Sequence, residues 1–157
     1  MGSRASILGH PIHPMIIPFP IALWIFSLAA DVIFLFGWGG PVWTDIAFYT
    51  MLGGVLGGLV AAIPGYLDYR TIVEPAVASI ARWHMLLNLS LVTLFIINLW
   101  MRATLVGGAF VPVVLSVIGV GLLGVSGWLG GELVYVHGVA VEPQPTTESR
   151  RRGRLAS

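Results

Sequence analysis

The chain has 157 residues, 57% of them hydrophobic and 10% charged, against roughly 25% charged residues in a soluble domain, so its composition argues against a water-soluble fold. It contains no Cys, which removes disulfides, iron–sulfur clusters, thiolate metal sites and covalently attached c-type haem. The formal charge is only +1 and its basic residues gather at the C-terminus, so nothing points to a nucleic-acid partner.

Four segments are long and apolar enough to cross a hydrocarbon core, which takes roughly 20 helical residues. They lie near 15–37, 46–64, 83–101 and 110–134, and they predict an all-α, four-helix transmembrane bundle. The lead-in to the first holds His10 and His13. Pro11, Pro14, Pro18 and Pro20 predict a stiff, non-helical start there, with the helix regular only after Pro20. Such a segment would hold His13 over a bundle end, while His10, in the irregular part, is the weaker candidate ligand. The first span is too long for a signal-peptide core and is expected to stay as an anchor.

Asp31 is the one acid inside a span. It follows His13 by 18 residues, about 27 Å along a helix, which puts it in the opposite half of the membrane. Its candidate partners are Arg102 and a polar pocket with Asn98, and a structural role outweighs a proton relay. The second span is charge-free between Asp45 and Asp68 and carries Gly53, Gly54, Gly57 and Gly58, overlapping small-xxx-small repeats that allow another helix to approach closely. The third opens on His84, with Asn88 one turn later on the same face to orient a ligand or line a polar pocket. The fourth repeats the glycine device with Gly127 and Gly131. Packing within the bundle is the first reading of both stripes; a homodimer interface and room for a flat cofactor are the alternatives. Asp68 and Glu132 are offered to Arg70 or Arg82 as ion-pair partners.

Residues 1–142 thus form one transmembrane domain, and 143–157 have the composition of a disordered basic tail. Four spans return both termini to one side. That side holds Arg4, Arg70, Arg82, Arg150, Arg151, Arg152 and Arg154, leaving Arg102 alone opposite, so the positive-inside rule makes it cytoplasmic in an inner membrane. The tail arginines would also touch anionic lipid. Trp38, Trp43 and Trp100 fall at the far interface and Trp83 at the near one, as amphipathic rings do at headgroup depth.

All four histidines, His10, His13, His84 and His137, fall on the cytoplasmic side in this topology. Imidazole ligates haem iron, zinc, copper and iron, and an ionisable residue at a bundle interior is a functional candidate; a histidine at an interface is also cheap to place beside water and headgroups. Three functions compete. The first is a haem b protein with His13, His84 and His137 as candidate ligands, passing electrons to a quinone or a redox protein. The second is a zinc, iron or copper site built on the same histidines, with His10 as a weak fourth. The third is a structural subunit without a catalytic site. A transporter is less supported, since no inverted repeat or run of midplane polar groups is evident.

The strings Gly9-His10-Pro11-Ile12-His13-Pro14, Pro18-Phe19-Pro20-Ile21-Ala22-Leu23-Trp24, Gly65-Tyr66-Leu67-Asp68, His84 with Asn88, and Ser126-Gly127-Trp128-Leu129-Gly130-Gly131 leading to His137-Gly138 resemble the DUF2231 family of predicted bacterial membrane proteins. The resemblance covers residues 9 to 138 and implies architecture and location more than a reaction. Relatives are similar in plan to four-helix b-type cytochromes and can be fused to redox domains, which leans the expectation toward electron transfer. Some carry His where this chain has Pro18, which removes one potential ligand here.

Overall fold

The computed structural model describes residues 5–141. A two-residue antiparallel pair, β1 (Ser6–Ile7) and β2 (His10–Pro11), leads into a short helix α1 (Ile12–Ile16). Then come α2 (Pro18–Leu35), α3 (Val42–Tyr69), α4 (Pro75–Thr104) and α5 (Phe110–Gly131), the last prolonged by a π-helical turn over Glu132–Val136. Four helical stretches, Ile12–Leu35, Val42–Tyr69, Pro75–Thr104 and Phe110–Val136, are long and apolar enough to cross a membrane. The basic tail from 143 onward lies outside the described residues.

Sequence neighbours pair as hairpins, α2 with α3 and α4 with α5, and the contacts of α3 with α4 and α2 with α5 close the bundle. Its core is built on Trp24, Met51, Val55, Leu91, Val92, Phe95 and Leu123. Trp24 and Phe95 stack at its centre, ring centroids 4.4 Å apart and planes within 11°. The outside is as apolar as the inside: Phe26, Leu59, Ile63, Leu89, Ile97 and Ile118 are among its exposed side chains, as lipid contact demands. Exposed hydroxyls fold back on their own helix, Ser90 Oγ to Leu86 O and Thr93 Oγ1 to Leu89 O at 2.9 Å each, so these two donors are satisfied without water.

The elements depart from the sequence expectation in three places. The lead-in is helical from Ile12, because proline in a first helical turn gives up an N–H that has no acceptor there, and Pro14, Pro18 and Pro20 all sit so. The second helix runs through Pro64 to Tyr69 and the third starts at Pro75, so the expected connection over 65–82 shrinks to a short turn. The extra turns are held by a second small core of Val77, Ala81 and Leu133, with Tyr69, Ile72 and Ile80 packed against it. Gly53, Gly54, Gly57 and Gly58 do pack closely: added Cβ atoms would meet Leu23, Trp24, Pro20, and Trp24 with Val92, respectively. Gly127 and Gly131 do not. Gly127 faces open space and Gly131 meets only its own helix's Tyr135, whereas the close approaches on α5 are made by Gly119, against Phe95, and Gly130, against His84.

Candidate functional site

The polar side chains buried in the bundle fall into two groups at opposite ends. At the end where α2 and α4 finish, Arg102 Nη1 and Nη2 donate to Asp31 Oδ1 and Oδ2 at 2.8 and 2.6 Å, a bidentate pair. Arg102 Nη2 also donates to Ser116 Oγ at 3.2 Å and Nε to Asn98 Oδ1 at 3.0 Å. Asn98 Nδ2 in turn donates to Ser116 Oγ and to Pro112 O, both at 2.9 Å. Asp31 therefore has both partners that the sequence offered it, the arginine directly and the asparagine through it.

At the other end stand His13, on α1, and His84, in the third turn of α4. His13 Nδ1 lies 2.8 Å from Ala61 O, and His84 Nδ1 lies 2.9 Å from Ser126 O. A carbonyl only accepts, so each ring carries a hydrogen on Nδ1, and in a neutral ring the lone pair is then on Nε2. The His84 Nδ1–H is shared with Ser126 Oγ at 3.3 Å. Both rings lie close against bare backbone: an added Cβ at Gly65 would come within 2.8 Å of His13 Nδ1, and one at Gly130 within 3.0 Å of His84 Cε1.

The Nε2 atoms differ. Asn88 Nδ2 donates to His84 Nε2 at 3.1 Å while also donating to His84 O at 2.8 Å. No hydrogen bond to His13 Nε2 comes from the described residues. His137 is exposed beyond the π-helical turn, its Nε2 3.9 Å from Glu132 Oε1. His10 is exposed and bonds Leu8 O through Nδ1 at 3.1 Å. Asp68, which the sequence offers to Arg70 or Arg82, is buried and accepts the Ala5 amide at 3.4 Å. Among the described residues, no group of three or more His, Asp or Glu is placed to share a metal ion. The backbone acceptors Ala61 O and Ser126 O are parts of the candidate site that sequence reading missed; the glycines one turn further, Gly65 and Gly130, are the signal that marks them.

A family model described as DUF2231, predicted membrane protein, matches residues 9–143. No curated protein and no solved structure matches the chain.

Proposed function

The chain belongs to the DUF2231 family of predicted membrane proteins, and from that premise we propose that it binds haem b between His13 and His84 and serves as an electron-transfer subunit of the bacterial inner membrane, both termini cytoplasmic. The observation that supports this reading is the common state of the two rings: each gives its Nδ1–H to a helix carbonyl, which makes Nε2 the atom that would coordinate. Metal-ligating histidines are held in the same way, since a donated N–H fixes the tautomer and the ring plane. His13 and His84 would hold the haem iron as its two protein ligands, and the group would supply one-electron chemistry when bound. Two imidazoles suit that group, whereas non-haem zinc, iron or copper draws three or four protein ligands.

Asn88 would have to release His84 Nε2, after which its amide is free to hydrogen-bond the ligand. His137, with Glu132, would sit at the cytoplasmic mouth where a quinone or redox protein would exchange electrons. One contact favours a second reading: the Asn88–His84 hydrogen bond at 3.1 Å completes the ring's hydrogen bonding, as a purely structural histidine requires. The absorption spectrum and metal content of protein purified in mild detergent decide between them. A Soret band that His84→Ala abolishes and His10→Ala leaves intact is expected. Colourless protein carrying stoichiometric zinc, iron or copper would replace haem with a metal site, and colourless, metal-free protein would leave the structural role.

A further inference from the structure

The two hairpins repeat one another residue by residue. In their first helices, His13 and His84, Trp24 and Phe95, Ser27 and Asn98, and Asp31 and Arg102 are each 71 residues apart. In their second helices the spacing is 65, for Ala47 and Pro112, Gly54 and Gly119, Ala61 and Ser126, and Gly65 and Gly130. The difference falls at the turn, where α2 and α3 run further before they join than α4 and α5 do.

The contacts repeat with the residues. Ser27 Oγ donates to Ala47 O at 2.7 Å, and Asn98 Nδ2 to Pro112 O at 2.9 Å. His13 bonds Ala61 O and His84 bonds Ser126 O through the same ring nitrogen. Gly54 lies against Trp24 as Gly119 lies against Phe95, and Gly65 against His13 as Gly130 against His84. Every buried residue of α5, namely Pro112, Ser116, Gly119, Leu123 and Ser126, has a buried counterpart 65 positions earlier on α3.

Because α2 and α4 start at the same end, the halves are parallel, and a rotation about an axis along the bundle relates them. A two-fold axis sets each residue near it against its own counterpart. Trp24 meets Phe95 in this way, and Asp31 meets Arg102. We infer that the chain is a duplicated helical hairpin, and that His13 and His84 are the counterparts that flank a single ligand on the pseudo-two-fold axis, equally and from opposite sides. The identity of that ligand rests on the haem reading above; its chemistry must offer two equivalent, opposed coordination positions. The departure from symmetry that bears on the site is Asn88, whose counterpart is Ile17: Asn88 covers His84 Nε2, and an isoleucine side chain can offer no such hydrogen bond to His13.

The test is a titration of ferric haem into the purified full chain in detergent, with His13→Ala, His84→Ala and His10→Ala beside the parent. The expected result is one haem per chain, affinity reduced by more than about tenfold and to a similar degree by His13→Ala and His84→Ala, and little change with His10→Ala. Loss with one of the pair and not the other would overturn the shared site while leaving haem binding in place. No binding by the parent would sink the haem reading and the axial ligand with it. The duplication is tested without any cofactor by the exchange Asp31→Arg with Arg102→Asp. A two-fold relation gives the two Cα–Cβ vectors the same geometry in either order, so the exchanged chain should recover most of the melting temperature that each single substitution loses. An exchange no better than the singles would overturn the two-fold relation.

Discussion

The two ends of the bundle handle buried polarity in opposite ways. At the Asp31–Arg102 end, four hydrogen bonds leave the guanidinium and both carboxylate oxygens are taken, with side-chain exposures of 11% and 5%. At the histidine end each ring spends one nitrogen on a backbone carbonyl, and the described residues leave His13 Nε2 unclaimed. Hydrocarbon penalises any unmatched charge, so a buried pair persists only when its capacity is used up. Spare capacity of that kind is what a binding function needs. The contrast separates a clamp from a candidate site.

The largest effect that would break this contrast is Arg102→Ala. It strands the Asp31 carboxylate among Asn98 and Ser116, and it should cost about 3–5 kcal/mol of stability in detergent unfolding. Arg102→Lys should recover only part, because an ammonium cannot reproduce the planar bidentate fork. A variant that unfolds like the parent would show that the pair holds nothing.

Next in size are the glycines. Gly54→Leu drives a side chain into Trp24, whose ring would stand 2.5 Å from the first added atom, and should cost about 1–3 kcal/mol, with a lowered melting temperature. Gly127→Leu, facing open space, should melt as the parent does. Equal losses at both would mean that the outer face of α5 is covered as tightly as the inner face of α3.

Smaller again is His84→Ala in protein without ligand. It removes the ring's hydrogen bonds to Ser126 and Asn88, and thermal unfolding should register only about 1 kcal/mol. A loss as large as that of Arg102→Ala would make His84 part of the frame, and the two ends would no longer differ. The smallest perturbation sharpens the placement of the ends in the membrane. A Cys at Thr104 should react with an impermeant reagent from outside the cell and a Cys at Thr146 should not; the reverse labelling would put the histidine end outside.

Much of this was readable from the chain. Apolar runs between Asp45 and Asp68 and between Arg82 and Arg102 located two spans, since the bilayer rewards length and penalises charge whatever the packing. The distance from His13 to Asp31 separated the two ends, because helical rise is fixed. The same reasoning paired Asp31 with Arg102: two isolated charges in one membrane half have few other partners. It went astray at Gly127 and Gly131, where spacing alone cannot tell which face of a helix turns inward; that depends on the neighbour, and here Phe95 and His84 select Gly119 and Gly130. It also placed the start of the third helix several residues late, since the turns from Pro75 are held by Leu133, far away in sequence.

Composition and hydropathy, then, determined that four helices form and which charges share an end, because these follow from transfer between water and hydrocarbon, residue by residue, and from the fixed rise of a helix. Which carbonyl each histidine holds, which glycines are closed and that one hairpin mirrors the other were decided only in the assembled bundle. The repeats share few letters: Ser27 answers to Asn98, Trp24 to Phe95, Asp31 to Arg102. Their likeness lies in position about an axis, and an axis exists only once the helices have packed.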